Sequence, residues 1–141
     1  MGTVADLNTR IARQSFEAIG RRDIEGLLEL YDPAIEFEPL TGMQVESGGY
    51  HGHLGVRRYL EEAAQVWEEM LPHADDVRSV GDRVLVLGGC AVRGRGSGAI
   101  TDQPMAWVLT MRDGRVLRHQ AFRSHEEGLA EVGLSESSPS V

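Results

Sequence analysis

A chain of 141 residues, 41% hydrophobic and 26% charged, is long enough for one compact core that needs neither disulfides nor a metal to stand. Its net charge of −8 excludes the clustered cations of a nucleic-acid footprint and opposes docking on anionic lipid, so no nucleic-acid and no membrane partner is expected. The single cysteine, Cys90, excludes an internal disulfide, and with no long apolar span and no signal-peptide pattern a cytoplasmic setting is the expectation.

After a short tail over residues 1–5, Asp6 is placed to cap a helix from about Leu7 to Gly20, with Leu7, Ile11, Phe16 and Ile19 near helical spacing. Asp23 caps a second helix that turns Leu27, Leu28, Leu30 and Tyr31 inward and stops at Asp32-Pro33, because the residue before proline is steered out of the α region. Ile35-Glu-Phe-Glu-Pro39 alternates apolar and acidic residues and reads as a short edge strand, where Pro39 loses no ladder bond. Residues 40–52 are glycine-rich and read as a loop over a pocket mouth. From His53 to Leu71, Val56, Tyr59, Leu60, Ala63, Ala64, Trp67 and Met70 trace one face of a long helix ended by Pro72.

Beyond Pro72 the period shortens to that of strands. Turn signals at Gly81-Asp82-Arg83, Gly96-Ser97-Gly98 and Arg112-Asp113-Gly114 delimit Ala74–Val80, Val84–Arg95, Ala99–Met111 and Arg115–Arg123, which would pair as an antiparallel meander. The two central strands are unusually long, so the sheet should bend, with the kink at Gly88-Gly89. Helices in the hollow of a bent sheet enclose a cavity. Ser124 can cap a last helix, His125–Val132, ended by Gly133 with Leu134 folding back, and Ser135–Val141 form a polar disordered tail. Residues 6–134 thus read as a single α+β domain.

The helix hairpin Arg22–Pro33, the junction Tyr50-His-Gly-His-Leu-Gly-Val-Arg-Arg-Tyr-Leu60, the turn Gly81–Val84 and the segments Arg93–Gly98 and Met111–Val116 together resemble the SnoaL-like branch of the NTF2-like superfamily, over about residues 5–134. The resemblance implies a cone-shaped fold: a strongly bent, mostly antiparallel sheet closing on three N-terminal helices, with a short C-terminal helix. It implies an apolar small molecule in the open end of the cone and a homodimer through the outer face of the sheet. It does not define an activity, since this fold hosts isomerases, cyclases, dehydratases and members without catalysis. Two functions stand side by side: cofactor-independent proton transfer on a largely apolar ligand, and a non-catalytic binding or dimerisation module.

By the family register, Glu38 sits where related ketosteroid isomerases carry a proton-shuttling aspartate, and a carboxylate raised in pKa by apolar walls can act as a general base. The other reading is a solvated edge-strand glutamate like Glu36. The rest of the isomerase apparatus has no match, with Ser15 near the oxyanion tyrosine's place and Trp107 in that of a protonated aspartate. On the last strand Leu117, His119, Ala121 and Arg123 share one face, which the family register turns inward. His119 could then exchange a proton and Arg123 hold an anionic group, or each could be a structural side chain with a local partner. Phe16, Tyr31, Tyr59, Met105 and Trp107 are the expected ligand-binding walls. Arg93 and Arg95 are expected on the outer face, as a dimer contact. Gly94-Arg-Gly-Ser-Gly-Ala99 imitates a dinucleotide fingerprint but joins two strands, and His51-x-His53 lacks the further ligands of a metal site. No metal and no cofactor are expected.

Overall fold

The computed structural model describes residues 2–40 and 49–135. Of the expected pocket-mouth loop over 40–52, residues 41–48 lie outside the described residues, as does the tail from 136 onward, while Tyr50–His51 form a short strand and Gly52 opens a helix. Helix α1 (Val4–Arg21) starts earlier than predicted. Thr3 is the cap, taking a hydrogen bond from Asp6 N–H, while the Asp6 carboxylate reaches back to Thr3 N–H. Asp6 is therefore the far half of a capping box, and Leu7, placed on the buried stripe from sequence, is 40% exposed. Arg22, in the left-handed region at φ 58°, turns the chain into α2 (Ile24–Leu30), which Asp23 caps as predicted.

Strand β1 (Tyr31–Glu38) follows α2 without a loop and ends before Pro39. It is not an edge strand. The sheet order is β2-β1-β6-β5-β4-β3, so β1 runs parallel to β6 on one side and meets the two-residue β2 (Tyr50–His51) on the other. Helix α3 spans Gly52–Val66, and β3 runs from Trp67 to Val80. The predicted helix was thus too long by its last turn and more. Trp67 and Met70 are three apart, which imitates a helical stripe, yet Met70 and Pro72 also alternate onto one face of a strand. Pro72 is tolerated because β3 is the true edge of the sheet.

Strands β3, β4 (Arg83–Gly94), β5 (Ile100–Arg112) and β6 (Arg115–Phe122) form the expected antiparallel meander. The bend lies where predicted, as a bulge in β3 between Ala74 and Asp76, opposite Gly88 and Leu87. Only glycine fits at position 88, since a Cβ there would lie 1.8 Å from His73 O. A second irregularity pairs Thr110 with Arg118 but Met111 with Val116. Leu117 is the extra residue, so Val116, and not Leu117 as expected, joins the inner core.

Two apolar layers result. The concave face packs on α1 and α3 through Phe16, Val56, Tyr59, Trp107 and Leu109, among others. On the convex face α4 (His125–Glu131) buries Leu129 and Val132 against Leu85, Leu87, Ala106 and Val108. Gly128 allows this close approach, because a Cβ there would meet Ala106 Cβ at 2.4 Å. His125 Nε2 donates to Gly88 O at 2.8 Å, and Gly133 (φ 79°) turns the chain so that Leu134 N–H returns to Leu129 O. The middle of the outer sheet face is thus covered by the chain's own last helix. The architecture is the expected α+β cone, a curved mixed sheet with its hollow closed by helices. Among the described residues no helix is long and apolar enough to cross a membrane.

Candidate functional site

A cavity of about 40 Å³ remains between the concave sheet face and the helices. Phe16 and Ile19 of α1, Tyr59 and Leu60 of α3, and Phe37 and Leu40 at the end of β1 wall one side. Met70, Pro72, Cys90, Met105, Trp107, Ala121 and His119 wall the other. Burial pushes the Cys90 thiol up to about 11, so at neutral pH it is a protonated, apolar wall atom. Among the described residues of the lining, the polar groups are then the His119 imidazole, the Tyr59 hydroxyl and the Trp107 indole N–H.

His119 stands in the middle of β6, opposite Leu109 of β5 and Phe37 of β1. Strand alternation turns it inward, as the family register implied, and it is 3% exposed. Its ring stacks on Phe37 at a centroid distance of 4.4 Å, with Phe16 at 5.9 Å. Its Nδ1 lies 2.9 Å from the Tyr31 hydroxyl. Burial alone depresses its pKa to about 3, since an apolar surround penalises the imidazolium. Across the physiological range the ring is neutral.

The tautomer follows from Tyr31. That residue is fully buried, its phenol held well above the ordinary value chiefly by desolvation, and its O–H has no other acceptor among the described residues. A buried hydroxyl left without an acceptor is costly, so it donates to Nδ1. The imidazole proton then sits on Nε2, which has no protein partner among the described residues. A neutral, pre-oriented N–H donor in an apolar cavity can bind an acceptor oxygen and stabilise charge that develops on it.

Phe16, Tyr59, Met105 and Trp107 line the cavity as expected, Phe16 meeting Trp107 at a centroid distance of 4.7 Å and Tyr59 meeting Phe37 at 5.0 Å. Tyr31 does not reach the lining; it supports His119 from behind. Glu38 was expected to point inward while Glu36 faced solvent, but residues two apart on a strand share a face. Phe37 fills the inward position, and the Glu38 carboxylate lies outside, 2.7 Å from Arg118 Nε. Glu36 on the same face meets His51 at 2.5 Å. Arg123 was expected near the cavity end. Strand β6 stops at Phe122, the chain turns toward the α4 cap, and Arg123 is exposed, its backbone N–H donating to Glu127.

Ser15 is buried, its hydroxyl donating to Ala12 O at 2.7 Å, away from the lining. His51 and His53 have separate uses, His53 Nε2 meeting Tyr31 O at 2.9 Å. Arg93 pairs with Glu68 and Glu69, and Arg95 donates to Ala64 O, so both are engaged within the chain. Sequence reasoning missed Met70 and Pro72 as walls because it held them in or beside a helix. The alternation of Met70, Pro72 and Ala74 was the available signal.

A family model described as a SnoaL-like domain matches residues 12–119. Among solved structures, TerC co-crystallised with polyporic acid is 28% identical over 84% of this chain and 92% of its own, with a TM-score of 0.75. An NTF2-like protein of unknown function from Burkholderia pseudomallei is 25% identical over 90% and 98%, with a TM-score of 0.75. A protein from Catenulispora acidiphila with a ketosteroid isomerase-like fold, in complex with trimethylamine, is 17% identical over 92% and 97%, with a TM-score of 0.71, a likeness of fold alone. No curated protein matches.

Proposed function

Since the chain belongs to the SnoaL-like domain family, we propose that its cavity binds the oxygen-bearing end of a largely apolar small molecule, the oxygen accepting a hydrogen bond from His119 Nε2. The observation that carries this is the buried Tyr31–His119 pair, which supplies one donor of fixed orientation to a largely apolar lining. An isolated polar group in such a place is expensive unless something pairs with it. The co-crystallisation of the related TerC with polyporic acid agrees with a small-molecule occupant.

The chemistry follows from the neutral ring. His119 as a base is too weak at neutral pH, with its pKa near 3, and as a donor it polarises a carbonyl or steadies an enolate without carrying charge. Proton abstraction needs a second group, and Glu38 faces away from the cavity. Binding with polarisation of the bound oxygen is the function the geometry supports best. The homodimer implied by the family resemblance would use what α4 leaves uncovered of the outer face, where Leu71 and Ile100 are exposed; light scattering on the purified protein tests it.

Difference infrared spectroscopy with 2-nonanone tests the binding reading. The carbonyl stretch should fall on binding to the wild-type protein and return toward its value in an apolar solvent in His119→Phe. A bound ketone whose stretch is the same in both proteins would overturn the reading.

A further inference from the structure

The inner cavity is too small for a whole ligand. Its volume of about 40 Å³ holds a few water-sized groups, whereas an apolar cavity that takes up benzene measures roughly 150 Å³. A carbonyl with a carbon or two fills it. A second chamber of about 120 Å³ lies between the C-terminal end of α1, the start of α2, α3 and the first residues of β3. Ile19, Leu60 and Met70 line both chambers, so these three side chains form the partition. Met70, on the edge strand, is unbranched and rotates readily.

The outer chamber is apolar in its body, with Ile24, Ala63, Ala64 and Trp67 on its walls and Arg22 and Glu61 completing them. Its shape is held by Arg22, whose guanidinium donates to the Trp67 and Glu68 carbonyls and ties the start of β3 to the end of α1.

Building on the binding reading above, we infer that the two chambers form one elongated site: the oxygen-bearing head of the ligand sits at His119, and an apolar body passes Ile19, Leu60 and Met70 to lie against Trp67 and Ala64. The ligand class is therefore a long, uncharged or weakly polar molecule with an acceptor oxygen at one end. Specificity for length resides in the outer chamber, and specificity for the head in the inner one.

The test is calorimetric titration with 2-hexanone, 2-nonanone and 2-dodecanone against wild type, Ala64→Phe and His119→Phe, with Ala63→Leu as the milder filling variant should Ala64→Phe fold poorly. Affinity should rise up to about fourfold per added methylene in wild type, the worth of burying one CH₂, and this rise should flatten in Ala64→Phe while 2-hexanone stays within about twofold. A bromine at the tail end, in 12-bromo-2-dodecanone, should quench wild-type fluorescence and lose most of that effect in Trp67→Phe. Affinity that depends on His119 but rises equally in Ala64→Phe, or quenching unchanged in Trp67→Phe, overturns the outer chamber and leaves the inner reading standing. Affinities that ignore His119 for every ketone overturn both.

Discussion

His119 and His73 lie on strands of one sheet, and its two faces set the same side chain in opposite states. His119 on the concave face has aromatic neighbours, one phenol and, among the described residues, no carboxylate partner, and burial depresses its pKa to about 3. His73 lies over Gly89, with Nδ1 2.9 Å from Asp75 and Nε2 3.0 Å from Asp102. Hydrogen bonds to those two carboxylates, that of Asp102 first, raise its pKa. One imidazole is held neutral in the cavity wall; the other, its protonated form favoured by two carboxylates, is a clip joining β3 to β5 across the bend. Neighbours, not residue type, assign the role.

The largest effect should come from emptying the inner position. His119→Ala removes the ring stacked on Phe37 and leaves the Tyr31 hydroxyl unpaired, a loss of about 3 kcal/mol or more in urea unfolding. Tyr31→Phe should cost about 1–2 kcal/mol by leaving Nδ1 without its donor. Adding His119→Phe to it should recover part of that loss, because an apolar pair needs no hydrogen bond; a fully additive double mutant would deny the coupling.

The two histidines should also give stability opposite dependences on pH. The unfolded chain protonates His119 near pH 6.5, while the folded protein resists until about pH 3. Its contribution is therefore complete above pH 6.5 and lost as the pH falls toward 3, with a limiting slope of about 1.4 kcal/mol per unit. His73 has a raised folded pKa, so its contribution is complete below the ordinary imidazole value and is lost as the pH rises through the raised one. Urea midpoints measured from pH 4 to 9 should lose their acid slope in His119→Phe and their alkaline loss in His73→Gln. The smallest effect belongs to Glu38→Gln, which breaks an exposed pair with Arg118. It should change stability by about 1 kcal/mol or less and leave ketone affinity unchanged.

The strands of the meander were legible from the turns between them, at Gly81–Arg83, Gly96–Gly98 and Arg112–Gly114, and the inward side of His119 from period two together with the family register. The α3–β3 boundary was not, since Trp67, Met70 and Leu71 satisfy both periods and Pro72 suits a helix stop as well as an edge strand. The inward placement of Glu38 came from the family register, although its spacing from Glu36 already put the two acids on one face. The bulge at Leu117 leaves no trace in composition, so the parity of Val116 could be read only from the fold. Likewise α4 was predicted as a helix, but its seat on Leu85, Leu87, Ala106 and Val108 depends on the outward row of two strands being apolar for a partner within the same chain.

The state of His119 is the centre of the account, and ¹⁵N NMR of the imidazole nitrogens reads it directly. Between pH 8 and 4.5 the spectrum should show a neutral ring protonated at Nε2, with Nδ1 as acceptor and the Nε2 proton moving downfield when 2-nonanone is added. A ring that titrates near pH 6.5, or that carries its proton on Nδ1, would contradict it.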